Sequence, residues 1–111
     1  MSSRLVGSSR VGPKPARAIK PHADKAATLL KALANEQRLL ILCNLLEGPL
    51  SVGELNERVT LSQSALSQHL GVLRDANVVT TTREAQTIRY ALSSAAVTRI
   101  IEILYNEFCA S

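Results

Sequence analysis

Tryptophan is absent from this sequence, and Tyr90, Tyr105 and Phe108 are its only aromatic residues, 3% of the chain. So sparse a set offers no platform on which unpaired bases could stack, which argues against aromatic-rich binders of single-stranded nucleic acid and leaves duplex DNA open. Cysteine is as scarce. Cys43 and Cys109 are too few for a disulfide scaffold and, alone, too few for a four-cysteine zinc site. Neither lies in a Cys-x-x-Cys pair, no general base stands near either in sequence, and no glycine-rich loop could cradle a phosphate. All three lacks count against a small thiol enzyme such as a sulfurtransferase. Long hydrophobic runs are also missing. The longest, Leu39 to Cys43, falls far short of the roughly 18 to 20 residues of a membrane span, and no apolar stretch follows the basic N-terminus as a secretory signal requires. A soluble cytoplasmic protein with no membrane association is expected.

What is present is ordinary for one small domain: 111 residues, 46% hydrophobic and 20% charged. Division into two would leave neither half enough interior to be stable. The net charge of +4 is unevenly spread, because Arg4, Arg10, Lys14, Arg17 and Lys20 fall in the first 20 residues with no acid among them. The rest of the chain holds 8 of the 13 Lys and Arg and all 9 Asp and Glu, so it is near neutral. Global basicity therefore describes the tail and is no proof of DNA binding. With Pro13, Pro15, Ser and Gly and no apolar period, residues 1–20 read as a disordered basic arm, able to add salt-dependent phosphate contacts. Residues 21–111 read as the folded domain.

Helical periodicity begins at His22, with Ala23, Ala26, Ala27, Leu30, Leu33 and Ala34 on one face. Asn35 is placed to cap a second helix that Gly48-Pro49 ends; it is apolar nearly all round and is expected to be central. Ser51 and Glu54 have capping-box spacing for a short third helix to about Val59. After a turn at Thr60-Leu61, Ser62 caps a fourth helix to about Ala76. Its steps put Ala65, Leu66, His69, Leu70, Val72, Leu73 and Ala76 on one side, and Gln63, Ser64, Ser67, Gln68, Gly71, Arg74 and Asp75 on the other. Strand formers follow, Val78 to Arg83 and Gln86 to Leu92, as a hairpin. Lacking Asn-Gly or Asp-Gly at Arg83-Glu84-Ala85-Gln86, it is expected to close through a longer, mobile loop. Ser93 or Ser94 caps a last helix with an apolar stripe of Val97, Ile100, Ile101, Leu104, Tyr105 and Phe108.

This order, mainly α with a β-hairpin wing, is that of a winged helix-turn-helix, whose fourth helix would enter a major groove about 12 Å wide while the hairpin follows the backbone. Gln63 and Gln68 can donate and accept at base edges, Ser64 and Ser67 can bond bases or phosphates, and Arg74, Arg83 and Arg89 can neutralise phosphates. A helix pair that merely packs, or a dimerisation module docking another protein through the polar helix, would be the readings without DNA. Three blocks in order, LANEQRLLIL, LSQSALSQHLGVLRDANVV and REAQTIRYAL, resemble the ArsR/SmtB-type winged-helix repressors, and the likeness extends from about residue 22 to the end. The resemblance implies a homodimer joined through the first and last helices that covers double-stranded operator DNA until an inducer weakens binding. It also implies that Gln63, Ser64, Ser67 and Gln68 face bases or nearby phosphates, with Arg83 at the wing.

Metal sensors of that family often carry a Cys-x-Cys pair in the helix aligned with residues 51–59, but SVGELNERV holds neither Cys nor His. The last helix offers only Glu102, Glu107 and Cys109, and the two histidines, His22 and His69, cannot complete a cluster. No metal or other cofactor is expected; a metal-responsive repressor would need Cys43 and Cys109 with Glu ligands or cysteines from both subunits. His69 falls beside Leu66 and Leu73 and reads as a packing histidine. The two cysteines can be read as small buried apolar residues. Their placement, one in LLILC and one just before the C-terminus, also resembles the dithiol branch of the family, the BigR/SqrR/YgaV-like and HlyU-like repressors. That likeness implies sensor thiols at Cys43 and Cys109, which a persulfide, polysulfide or oxidant converts to a disulfide or sulfur-bridged link that releases DNA.

Overall fold

Local capping chemistry sets most of the helix starts. The computed structural model describes residues 14–109. In order these form α1 (Pro15–Ile19), a 3-10 turn (Lys20–His22), α2 (Ala23–Leu33), α3 (Glu36–Asn44), a second 3-10 turn (Leu45–Glu47), β1 (Leu50–Ser51), α4 (Val52–Arg58), α5 (Gln63–Asp75), β2 (Val79–Glu84), β3 (Thr87–Leu92) and α6 (Ala95–Phe108). Asn35 caps α3 by accepting from the Arg38 N–H at 3.0 Å. Ser62 and Ser94 do the same for α5 and α6 from Ala65 and Val97. Ser51 and Glu54 form the full capping box of α4. Each cap satisfies an N–H that the first turn leaves without a helical partner. At its other end α5 closes through two bonds, Asn77 N–H to the Arg74 carbonyl and Val78 N–H to the Leu73 carbonyl. Asn77 takes φ 60 there, a left-handed conformation that asparagine tolerates better than most residues.

The core is one cluster. Leu66, Leu70 and Leu73, spaced by four and three, bury one side of α5 against Ile41 and Leu42 of α3, Leu55 of α4, Val78 and Val79 before and at the start of β2, and Val97 and Ile101 of α6. Full burial of each such side chain contributes about 1.5–3 kcal/mol, which fixes α5 in place and leaves its other side free. Four residues, Val59 to Ser62, connect α4 to α5, a length suited to a helix-turn-helix.

Several expectations need correction. The sheet has three strands, not two: β1 joins β3 on the side away from β2, pairing Leu50 with Tyr90 and Ser51 with Arg89. Glu84 pairs with Thr87, so the hairpin closes through two residues rather than a longer loop. Ala85, the first of them, is held at φ 56. An L side chain in that region costs about 1–2 kcal/mol; Ala85→Gly is therefore expected to stabilise the fold by about 0.5–1 kcal/mol, read from the urea midpoint at unchanged slope. The second predicted helix is not central all round. Ile41 and Leu42 are buried, but Leu40 is 49% exposed and Cys43 is exposed too, and the α-helix tightens into a 3-10 turn after Asn44. Val72, expected inward, is exposed. Helix α1 lies within the stretch expected to be an arm, with Pro15 at a position that tolerates its missing N–H, and it buries nothing. The remainder of that predicted arm, residues 1–13, lies outside the described residues. No helix among the described residues is long and apolar enough to cross a membrane.

Candidate functional site

On the outer side of α5, Gln63, Ser64, Ser67, Gln68 and Arg74 are all exposed. The core leucines on the other side orient that face, and Ser62, spent on the cap, sets where it begins; its hydroxyl also lies 3.3 Å from that of Ser64. No acid occupies the first turn, so the positive end of the helix dipole is left uncompensated toward an approaching phosphate. Half-buried His69 sits behind this face, its Nδ1 3.5 Å from Arg38 Nη1. Arg38 in turn donates from Nε to the Ala32 carbonyl at 2.6 Å, holding the end of α2. Sequence reading did not single out Arg38, because both partners come from other helices.

The wing carries two arginines in different settings. Arg83 is exposed in β2 and has no ion pair among the described residues. Arg89, in β3, lies between two carboxylates: Nε donates to Glu84 Oε1 at 2.7 Å and Nη1 to Glu54 Oε1 at 3.0 Å. Glu54 Oε1 also accepts the Ser51 N–H of the capping box at 2.9 Å. That backbone bond above all, with the Ser51 hydroxyl and Arg89 adding to it, holds the Glu54 carboxyl below the usual carboxylate range. Glu54 was legible as a cap; its second partner, 35 residues away, was not.

Cys43 of α3 and Cys109 at the end of α6 line one apolar recess of about 190 Å³ with Leu39, Ile101, Leu104, Tyr105 and Phe108. Both are free thiols and both keep exposed surface in the single chain. The apolar walls desolvate the Cys43 thiolate and push its pKa up, and the neighbouring Cys109 adds like charge in the same direction. Raised from an ordinary thiol value, Cys43 is overwhelmingly protonated at pH 7. Its alkylation is therefore expected to speed up about tenfold per pH unit from neutrality upward, with no plateau before the ordinary thiol pKa, as peptide mapping after iodoacetamide pulses would show. Among the described residues no three His, Cys, Asp or Glu side chains gather as a metal site would require. The predicted stripe on α6 is only partly used by the chain itself: Val97 and Ile101 are buried, whereas Tyr105 is 49% and Phe108 79% exposed.

Comparison with known proteins agrees with this geometry. Residues 35–81 match the sequence profile described as bacterial regulatory protein, arsR family. Among curated proteins, the transcriptional activator HlyU of Vibrio cholerae is 55% identical over 91 residues, covering 82% of this chain and 84% of that one. The biofilm growth-associated repressor of Agrobacterium fabrum is 46% identical over 100 residues, covering 90% and 86%. Among solved structures, reduced HlyU from Vibrio cholerae superposes with a TM-score of 0.77 at 54% identity, covering 84% of this chain and 98% of that one.

Proposed function

Since this chain belongs to the arsR family and is a DNA-binding transcriptional regulator with a winged helix-turn-helix fold, not an enzyme, we propose that it acts as a homodimeric, cytoplasmic repressor released from operator DNA when Cys43 and Cys109 are bridged. The observation that carries the reading is the shared recess: two thiols 66 residues apart in the chain line one apolar hollow between α3 and α6. Gln63, Ser64, Ser67 and Gln68 would read base edges, and Arg74 and Arg83 would meet phosphates.

The switch chemistry balances with a persulfide donor. A cysteine thiolate attacks the outer sulfur of RS–SH, forming Cys–S–SH and expelling RS⁻. The second thiolate then attacks the sulfur bound to the protein, closes the disulfide and expels HS⁻. If both thiols are persulfidated first, their condensation releases H₂S and leaves a trisulfide, whose longer reach relaxes the roughly 7 Å Cα limit of a simple disulfide. Either link ties α3 to the end of α6. The exposed apolar residues of α6, with Leu30 of α2, form the surface that a second copy would cover, so tethering α6 would alter the spacing of the two α5 helices across the dimer. Thiol sensing of this kind needs a reducing compartment at rest, which supports the cytoplasmic assignment.

The test treats the reduced protein, bound to duplex DNA, with a hydropersulfide and maps the Cys43 and Cys109 peptides by mass spectrometry. Bridged peptides appearing together with DNA release are expected. Release with both thiols unmodified would overturn the reading.

A further inference from the structure

A guanidinium in the wing that touches phosphate should be free to do so, and Arg89 is not. Its Nε and Nη1 are taken by Glu84 and Glu54, so the group as a whole holds one positive and two negative charges and offers an approaching phosphate no net attraction. The three side chains join three elements. Arg89 is opposite Thr82 on β2 and Ser51 on β1, Glu84 lies two residues along β2 from Thr82 on the same face, and Glu54 opens α4. One oxygen of Glu54 serves both the capping box and the arginine. Arg83, adjacent to Glu84 in the strand, points to the other face of the hairpin.

We propose that Arg89 is a positioning residue that locks the wing onto the first turn of α4, so that the wing and the helix-turn-helix meet DNA as one rigid unit. The part concerning DNA rests on the reading above; the lock itself does not. Glu54 remains ionised well into mild acid because the Ser51 N–H and Arg89 both favour its charged form, which keeps the lock closed at neutral pH. Lysine could not replace arginine here, since a single ammonium lacks the planar fork that meets two carboxylates along two edges.

Binding of the full-length protein to a duplex enriched by the wild-type chain from a random library separates a lock from a phosphate contact, because the two predict opposite signs for one variant. Glu54→Gln keeps capping-box chemistry, since glutamine serves at that position. If Arg89 locks the wing, Glu54→Gln weakens binding about three- to tenfold, the range that loss of one exposed ion pair in each of two protomers supplies. Arg89→Gln and Arg89→Lys weaken it by a similar factor, the double variant Glu54→Gln/Arg89→Gln is no worse than either single one, and the salt dependence is unchanged. Tighter binding by Glu54→Gln, or a salt slope reduced by about 2 in Arg89→Gln, would overturn the proposal in favour of a direct phosphate contact. Amide hydrogen exchange of β2 and β3 reads the lock without DNA. Faster exchange in Arg89→Gln and Glu54→Gln is expected, and unchanged exchange overturns the lock. A chain that binds no duplex at all removes the DNA reading and leaves exchange to decide.

Discussion

Between about 50 and 200 mM salt, binding of the reduced protein to duplex DNA is expected to fall by about 10²-fold. The magnitude follows from how few cations the domain presents. Arg74 and Arg83 are exposed and carry no ion pair among the described residues, whereas Arg89 is engaged by carboxylates. A symmetric pair of protomers would thus neutralise about four phosphates through these side chains, each contributing about 0.9 to the slope of log affinity against log salt. Arg83→Ala should lower that slope by about 2 and weaken binding to all sequences alike. Gln63→Ala and Ser67→Ala should leave the slope unchanged and cost about 1–3 kcal/mol of discrimination at one base pair in each half-site. Fluorescence anisotropy across a salt series and a set of single-base variants distinguishes the two patterns. Sequence preference retained in both the Gln63 and Ser67 variants would contradict the groove assignment of α5.

Persulfide treatment is expected to lower the affinity of the wild-type protein for the same DNA by about 5- to 150-fold, a coupling free energy of about 1–3 kcal/mol. Cys43→Ser and Cys109→Ser should each bind DNA as the reduced wild type does and show no release. Cys109 in the first variant still accepts sulfur, so its adduct accumulates and is visible by mass, but no bridge can form. Closing a loop of this length constrains the unfolded chain by about 4 kcal/mol, yet that stabilisation is no measure of regulation, because only the difference between the DNA-competent and released forms enters the coupling. Dithiothreitol should restore binding of the bridged protein. Release that persists in either single variant would remove the two-thiol mechanism and leave a regulator controlled by other means.

The parts of the fold governed by neighbours in sequence were legible, and those governed by distant pairing were not. Asn35, Ser51, Ser62 and Ser94 announce their helices because each side chain meets an N–H within three residues. Strand β1 is only two residues long, and its existence depends on β3 arriving beside it, which no local pattern encodes. At Ala85 the strand register imposes a positive φ on a residue that does not favour it, so the absence of glycine was a misleading signal. On α6, periodicity revealed an apolar stripe but could not tell which part packs within the chain. Val97 and Ile101 do, and Tyr105 and Phe108 do not. For the thiols, spacing alone left two readings open. Both thiols keep exposed surface and line one recess, a closeness set by how α3 packs against α6, which no local pattern encodes.

Ser51 ends a strand and begins a helix, pairing with Arg89 as part of β1 while capping α4 with its hydroxyl. A single extra residue just ahead of it would either slip Leu50 by one position and turn it out of the interior or, with the strand held, push Ser51 off the start of α4. The Ala85–Gln86 tip carries no such double duty and is exposed, so added length there costs little. Relatives of this domain should therefore vary in hairpin length while keeping the distance from Gly48 to Glu54 constant, and a peptide tag is best grafted at the tip.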